Sequence, residues 1–460
     1  MAFGSTVAQP VYSPRNHPPP MDPLSLLRGA LGVLVLLGVA VLFSSDRKRI
    51  DWRLVLLGLL AQVALAVLVL YGRGLGEVFG PLAWPSLAFR RLSSLFVSLL
   101  GFTVEGARFV FGPLASAPPA SESLGVILAF QVLPTIVFFS SLMAILYHVG
   151  AMQLMVRGMA WIFGRATRAS GPESLSLAAN VFVGMIEAPL VIRPFLNTVT
   201  RSELLVIMTG GLATIAGGVM AAYIGILGDA YASTYALPVE TARLDFAERL
   251  LAASFMAAPA ALVFAKVLLP GVASAAPAGD LSVHVERSDA NLLHAAARGA
   301  SDGLRVALNV AALLVAFIAL VALANAILGF LAGLFGYSLT FQQLLGWALA
   351  PIAWLIGVPA QDAILFGALV GTKIVLNEFV AYLGLAEVIA SASMLPKSAL
   401  MSTFALCGFA NFASVALLVG GIGQLVPERT PELARLGMRA LLAGTLANLM
   451  TATVAGAIVG

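Results

Sequence analysis

The stretch NVFVGMIEAP, residues 180–189, places the carboxylate of Glu187 among apolar neighbours and two residues before a proline. A second acid, Glu378, is embedded in the same way in GTKIVLNEFVAY, residues 371–382. A charged side chain at the centre of a bilayer costs about 2.5–3.5 kcal/mol even on the mildest scale, so such residues mark functional sites by default. These two acids are therefore the starting point for both fold and function.

The composition around them is that of a membrane protein. The chain has 460 residues, of which 60% are hydrophobic and 10% are charged, whereas soluble domains carry about 25% charged residues. Soluble classes are thereby excluded. The net charge of +4 fits basic cytoplasmic loops better than a nucleic-acid partner, so no nucleic-acid binding is expected. A single cysteine, Cys407, excludes an intrachain disulfide.

Apolar runs of about 20 residues predict transmembrane helices. Eight are expected, at about residues 26–43, 54–71, 124–148, 203–228, 250–269, 305–331, 396–421 and 436–459. Residues 1–25 are predicted to be a disordered polar tail, and residues 75–122 to include a helix lying in the membrane interface. The basic loop at residues 44–53 is expected in the cytoplasm, with the N-terminus outside.

Two apolar segments, about 174–199 and 347–385, are interrupted by Gly, Pro and an acid and do not resemble simple spans. Each precedes a span with a glycine-rich break, MTGGLATIAGGV (208–219) and FALCGFANFASVALLVGG (404–421). Irregular backbone at membrane depth is tolerated only where it is buried in protein or lines a cavity. Paired interrupted segments in two halves indicate a transporter with its binding site near mid-membrane.

The embedded polar groups suggest the ligand chemistry. Two carboxylates with Asn411 and Ser414 suit a ligand rich in hydroxyl groups, such as a sugar, and carbonyls freed at the breaks suit a hard cation such as sodium. One alternative is that the acids only form structural ion pairs, with Arg193 and Lys373 as candidate partners. An ion channel and a membrane enzyme are further alternatives, although no metal-ligand cluster or nucleophile motif supports an enzyme.

Five blocks of the chain carry a resemblance to a known family. They are LAFQVLPTIVFFSSLMAILYHVGAMQ (128–153), NVFVGMIEAPLVIRPFL (180–196), TRSELLVIMTGGLATIAGGVMAAYIGIL (200–227), LVGTKIVLNEFVAYL (369–383) and FALCGFANFASVALLVGGIG (404–423). In these blocks the chain resembles the concentrative nucleoside transporters. The resemblance implies an all-α membrane protein, not an enzyme, with about eight transmembrane helices, interfacial helices and an inverted-repeat transport core.

The resemblance also implies a domain organisation and an assembly. Residues 26–122 are expected to form N-terminal transmembrane helices with an interfacial helix, and residues 123–460 the transport core. That core would contain two re-entrant hairpins, hairpin 1 at about 174–199 and hairpin 2 at about 347–385. A homotrimer in the inner membrane, with nucleoside and sodium as substrates and no other cofactor, is expected on the same basis.

The family's functional positions map onto individual residues of this chain. Those that would bind the ribose are Glu187, Glu378, Asn411 and Ser414. Those that would hold sodium are Asn180, the Val183 carbonyl, Thr214 and the Ile215 carbonyl. The family usually has serine where this chain has Thr214, so a hydroxyl is retained. Val219 and Phe409 fall where the family packs apolar surface against the base.

The tip of hairpin 1 departs from the family pattern. The family usually has Gly-Gln-Thr-Glu there, and this chain has Gly184-Met185-Ile186-Glu187. Met185 and Ile186 cannot hydrogen-bond a base edge, so we expect ribose recognition to be kept and base recognition to change. The alternative is that water and other residues replace the lost contacts and uridine still binds. Proton coupling, another ribose-like ligand and nucleoside binding without transport also remain open.

Overall fold

The computed structural model describes residues 22–116, 127–271 and 289–459, and these fold as packed helices. The first part of the chain contains α1 Pro23–Leu42, α2 Trp52–Ala66, α3 Gly72–Val78, α4 Trp84–Phe111, α5 Leu128–Gln131, α6 Leu133–His148 and α7 Ala151–Thr167. The predicted tail lies mostly outside the described residues. Helix α1 begins at Pro23, slightly earlier than expected, because Asp22 caps it by accepting from the backbone N–H groups of Leu24 and Ser25.

The remainder of the chain is built from two similar series of helices. The first series is α8 Gly171–Asn180, α9 Ala188–Val191, α10 Arg201–Ala213, α11 Gly217–Tyr235 and α12 Val239–Leu268. Two helices, α13 Leu292–Gly333 and α14 Phe341–Leu355, separate it from the second series. The second series is α15 Ala363–Val375, α16 Glu378–Ala390, α17 Pro396–Leu406, α18 Phe412–Leu425 and α19 Thr430–Val459.

Eight helical segments in the described residues are long and apolar enough to cross a membrane, which agrees with the predicted number. The set of segments differs from the predicted set of spans in one place. The segment Gly80–Ala115, which contains α4, qualifies by length and composition, whereas predicted span 396–421 is divided between α17 and α18. The chain between them, residues 407–411, is not helical. Whether α4 lies in the interface, as the sequence predicts, stays a prediction.

Burial separates a central pair of helices from a peripheral one. In α12, 94% of the most apolar window is buried inside the protein, and in the segment containing α19 the figure is 83%, against 11% in α13. Alanine is the most frequent buried residue in α12, and alanine and glycine together are frequent among the buried residues of α19. Small residues let helix backbones approach closely, which is how helices associate in a membrane where burial from lipid gives little driving force.

Helix α13 is longer than the sequence predicted. The expected span was 305–331 with a polar loop to 303, but the helix begins at Leu292 and has 42 residues, about 63 Å at the helical rise. Its first turns carry a stripe of small residues that packs against α6: a Cβ on Gly299 would lie 2.6 Å from the Cβ of Ala144. The predicted polar loop, 272–303, is therefore wrong for residues 292–303, because that prediction sought an apolar span and overlooked this stripe of small residues. Residues 272–288 lie outside the described residues.

Candidate functional site

Two helices are interrupted in the middle of the protein, one in each series. Helix α10 ends at Ala213, Thr214 is extended with ψ 169°, and α11 begins at Gly217. Helix α17 ends at Leu406, and Gly408 has φ +147°, a conformation that favours glycine. Both interruptions fall inside the predicted glycine-rich breaks. We call residues 214–216 the first break and residues 407–411 the second break.

Each break is preceded by two short helices joined by a turn. In hairpin 1, α8 ends at Asn180 and Glu187 precedes α9. In hairpin 2, α15 ends at Val375 and Glu378 begins α16, so this pair occupies 363–390 rather than 347–385. Helix α14 is a separate element that packs along α15. Both acids therefore lie at turns, as the interrupted sequence predicted. That each pair of short helices enters and leaves the membrane at the same face stays a prediction.

A carboxylate ties down the start of each hairpin. Glu173, in the first turn of α8, is fully buried and pairs with Lys266 of α12, with 2.6 Å between Oε1 and Nζ. Asp362, just before α15, accepts from the backbone N–H of Leu395 at 3.1 Å and from the hydroxyl of Ser398 at 2.6 Å. The hairpin starts are therefore anchored to neighbouring helices.

Glu378 lies in a buried hydrogen-bonding cluster at the second break. Its Oε1 accepts from the Tyr223 hydroxyl at 3.1 Å, and its Oε2 accepts from Nδ2 of Asn411 at 2.9 Å. The Oδ1 of Asn411 accepts from the backbone N–H of Ser414 at 2.8 Å and so caps α18. The structure thus brings together three of the four predicted ribose-binding residues, Glu378, Asn411 and Ser414.

Tyr223 is the member of this cluster that the sequence reasoning missed. It is fully buried in α11, and its ring lies 4.3 Å from that of Tyr382, centroid to centroid. The hydroxyl of Tyr382 in turn donates to the Thr403 carbonyl in α17. The available signal was a tyrosine inside a long apolar helix, because a buried tyrosine hydroxyl usually requires a polar partner.

Glu187 stands apart from that cluster. Its side chain is exposed, and its carboxylate folds back over Gly184, where it occupies the space that a Cβ would take. Its electrostatic neighbours are Tyr147 in α6 and Asp302 in α13. The Tyr147 hydroxyl is buried without a hydrogen-bond partner in the described part of the chain. Glu187 is thus the one predicted ribose residue that the structure does not join to the others.

The alternative of structural ion pairs is not supported by the geometry. Across the described ranges, neither Glu187 nor Glu378 forms an ion pair with a basic side chain. Lys373 instead donates to the Ala405 carbonyl at 3.0 Å and to Oδ1 of Asn448. Arg193 is exposed. Glu378 is therefore held by neutral donors, whose N–H and O–H groups a ligand hydroxyl can imitate or replace.

Oxygen atoms without donors collect at the first break. Oδ1 of Asn180, a residue only 1% exposed, has no hydrogen-bond partner among the described residues, although Nδ2 donates to the Ser176 carbonyl at 2.9 Å. The Thr214 hydroxyl donates to the Gly210 carbonyl at 2.9 Å, which leaves its lone pairs free. No described donor bonds the carbonyls of Val183 or Ile215. This set of oxygens fits a hard cation such as sodium.

The residues predicted to face the base have different surroundings. Met185 is buried beside Gly211, whose Cβ position lies 3.0 Å from the Cβ of Met185. Ile186 is 43% exposed and lies against Gly421 in α18. Val219 and Phe409, at the two breaks, are both half-buried. The tip of hairpin 1 therefore packs between the end of α10 and the apolar face of α18.

Gly408 of the second break lies against Ala213, the residue just before the first break. A Cβ on Gly408 would lie 2.6 Å from the Ala213 carbonyl oxygen, so only glycine allows this approach. Asn448 of α19 lies beside both, and its Nδ2 donates to the carbonyls of Ala213 at 2.7 Å and Cys407 at 2.6 Å. One buried asparagine therefore bonds both the last residue of α10, just before the first break, and the first residue of the second break.

Comparison with known proteins identifies this arrangement. Three family profiles match: "Na+ dependent nucleoside transporter N-terminus" over residues 31–114, "Nucleoside recognition" over 129–230, and "Na+ dependent nucleoside transporter C-terminus" over 249–456. The Nucleoside permease NupC of Helicobacter pylori is 37% identical, over 95% of this chain and 98% of its own. The Sodium/nucleoside cotransporter 1 of Rattus norvegicus is 36% identical, over 92% of this chain and 62% of its own.

Solved structures agree in fold. The transporter CNTnw in an inward-facing substrate-bound state superposes with a TM-score of 0.82 at 40% identity, covering 94% of this chain and 98% of that one. A variant of CNTnw in an intermediate state gives 0.80, over 95% and 100%. These relatives are transporters and permeases rather than enzymes. The chain belongs to the family of sodium-dependent, concentrative nucleoside transporters, a family of multi-pass membrane proteins that uses sodium as its coupling ion.

Proposed function

We propose that this chain carries nucleosides across the inner membrane by symport with sodium. The observation that carries the proposal is the contact between Ala213, just before the first break, and Gly408 of the second break. Oxygens suited to a cation lie at the first break, and the Glu378 cluster suited to a ribose lies at the second. Symport requires that one ligand raise the affinity for the other, and adjoining breaks provide a short path for that coupling. The names of the relatives, a nucleoside permease and a sodium/nucleoside cotransporter, support the same substrates.

In the proposed binding mode, the ribose hydroxyls donate to the Glu378 carboxylate, whose two oxygens are already oriented by Tyr223 and Asn411. Ser414 offers a hydroxyl one turn into α18. Glu187 completes the grip from hairpin 1, once the exposed tip closes over the ligand. A preoriented acceptor avoids part of the ordering cost of binding, which supports a specific role for this cluster in recognising the sugar.

Sodium is proposed to bind between Asn180 and Val183 of hairpin 1 and Thr214 and Ile215 of the first break. The unpaired amide oxygen of Asn180 is the main support, because a buried acceptor without a donor carries a desolvation cost that a cation would offset. Bound sodium would join hairpin 1 to the first break and bring Glu187 toward the ribose. By linkage, the nucleoside must then raise sodium affinity by the same factor.

Base selectivity is proposed to differ from the usual pattern at the hairpin tip. Met185 is packed against apolar surface and Ile186 offers only methyl groups, so neither meets a pyrimidine amide edge with a hydrogen bond. One unmade bond of this kind costs about 0.5–1.5 kcal/mol. We therefore expect purine or modified nucleosides to be preferred, or selectivity to be broad.

Uptake into proteoliposomes tests the transport proposal. The purified protein is supplied with a panel of radiolabelled nucleosides under an inward sodium gradient, under a proton gradient, and with neither. Accumulation driven by sodium alone supports the proposal, and accumulation driven only by protons contradicts the sodium assignment. Nucleoside binding without accumulation in any condition would indicate a non-transporting binder instead.

The same panel tests base selectivity when the tip is changed. The double variant Met185→Gln/Ile186→Thr restores the polar groups typical of the family, and the ratio of uridine to adenosine uptake is expected to rise about tenfold. A matched control is Leu190→Gln, which adds an amide to an exposed position beyond the tip. A wild-type protein that takes up uridine in preference to every other nucleoside would contradict altered selectivity.

A homotrimer is proposed on family resemblance, and the long exposed apolar face of α13 is compatible with contacts to further copies or to lipid. Native mass spectrometry of the detergent-released protein measures the assembly directly. A dominant species of three chains supports the proposal, and a monomer at every detergent concentration contradicts it.

A further inference from the structure

Lys373 is a buried lysine for which neither the sugar nor the sodium assignment has a use. It lies in α15 two residues before the end of the helix, and it is only 2% exposed. Its Nζ donates to the Ala405 carbonyl in the last turn of α17 and to Oδ1 of Asn448. The ammonium thus connects the end of the first helix of hairpin 2 with the end of the half-helix before the second break.

No carboxylate neutralises this ammonium by direct contact in the described part of the chain. An unpaired buried charge is costly. Two sources of negative potential act on this ammonium without direct contact. They are the Glu378 carboxylate and the ends of α10 and α17, because a helix carries a partial negative charge at its C-terminus. Both ends meet at Asn448, through the carbonyls of Ala213 and Cys407. A positive charge is therefore electrostatically favoured where the two breaks converge.

The first series has a similar spacing of parts but, among its described residues, no side chain that makes this connection. Asn180 ends the first helix of hairpin 1, and Thr214 at the first break follows it by 34 residues. Lys373 lies near the end of the first helix of hairpin 2, and Ala405 follows it by 32 residues. In the first series these positions present unpaired oxygens. In the second series the matching positions are already joined by a side-chain cation.

We propose that Lys373, held by Asn448, is a built-in cation that joins hairpin 2 to the second break as sodium joins hairpin 1 to the first break. The proposal rests on the sodium site of the proposed function. It assigns the two hairpins different tasks: hairpin 2 stays closed and keeps Glu378 in place whether or not sodium is present. Only hairpin 1, with Glu187, responds to the transported cation.

Hydrogen–deuterium exchange of the wild-type protein tests this assignment without any substitution. Peptides covering 181–190 and 374–382 report on the tips of hairpins 1 and 2, and exchange is compared in sodium and in choline at equal ionic strength. Sodium is expected to slow exchange at 181–190 by about tenfold and to leave 374–382 unchanged. Sodium protection at 374–382 would overturn the built-in cation. No sodium response at 181–190 would instead contradict the proposed sodium site.

Substitution of the lysine gives the second test. Lys373→Gln and Asn448→Ala are each expected to speed exchange at 374–382 by about tenfold or more, because a charge-assisted buried contact is lost. The sodium response at 181–190 is expected to be kept in Lys373→Gln. Asn448→Ala also loses the bond to the Ala213 carbonyl beside the first break, so its test is exchange at 374–382 alone. Thr372→Val is the matched control, since it alters the adjacent buried residue without touching Ala405 or Asn448. Unchanged exchange at 374–382 in a folded Lys373→Gln protein would overturn the proposal. If that variant does not fold, Asn448→Ala and the wild-type comparison decide.

Discussion

The two series of helices have the same order of parts but differ in what fills their breaks. In the first, the amide oxygen of Asn180 has no described partner and the Thr214 lone pairs are free. In the second, Lys373, Asn448 and Gly408 fill the corresponding space. On the proposed sodium assignment, a repeated architecture binds a mobile cation in one half and holds a rigid polar cluster in the other. The repeated architecture determines where the breaks lie, and a few side chains determine whether the polar groups at each break are left unpaired or are bonded within the protein.

The largest effect on nucleoside uptake is expected from a substitution in the second series of helices. Glu378→Gln removes the charge that accepts from Tyr223 and Asn411, and hydrogen bonds to charged groups contribute about 1.5–3 kcal/mol each. Nucleoside uptake is therefore expected to fall roughly 100-fold or more. Glu387→Gln, on the exposed side of the same helix, is the control. A folded Glu378→Gln protein with uptake near the wild-type level would remove Glu378 from the ribose site.

The next largest effect is on stability, and it compares the close backbone contact of Gly408 at the second break with the looser contact of Gly217, just after the first break. Gly408→Ala places a Cβ 2.6 Å from the Ala213 carbonyl oxygen at φ +147°, and we expect a stability loss of about 2–5 kcal/mol. Gly217→Ala, with 3.3 Å to the Phe182 oxygen, is expected to cost less. Gly420→Ala faces open space and is the control. Thermal unfolding in detergent ranks the three, and equal midpoints for the first two would contradict the comparison.

A smaller and more selective effect is expected at the first break. Asn180→Ala removes the unpaired amide oxygen, so the sodium concentration for half-maximal uptake is expected to rise about tenfold. Asn377→Ala is the control in hairpin 2, where the asparagine caps α16. It is expected to lower uptake without changing the sodium requirement. A sodium requirement that changes equally in both variants would mean that the halves do not divide these tasks.

The smallest expected change concerns the hydroxyl at the first break. Thr214→Ser keeps the oxygen that donates to Gly210, so the sodium requirement is expected to stay within about threefold of wild type. Thr214→Val keeps the shape and removes the oxygen, and a larger rise is expected. Titration of uptake against sodium measures both. Identical curves for the serine and valine variants would exclude the hydroxyl as a cation ligand.

Much of this organisation was predictable from sequence because it depends on strong local signals. Long apolar runs identified most of the spans, and Gly, Pro and acid clusters located both breaks and both turns. The contacts that define the sites were less accessible. Tyr223 and Asn448 meet their partners across 155 and 235 residues of chain, and their surroundings in sequence are ordinary apolar helices. The early start of α13 was missed because small residues at four-residue spacing pack as well as apolar ones.

The position of Asn448 has a consequence for biosynthesis. The carbonyls of Ala213 and Cys407 are synthesised 235 and 41 residues, respectively, before Asn448, whose side chain donates to both. During translation both breaks therefore enter the membrane with unmet polar backbone, which is costly there. We expect Cys407, the free thiol at the second break, to react faster with a membrane-permeant thiol reagent in nascent chains arrested before α19 than in chains that include α19. The last described helix would thus act as the closing step of assembly.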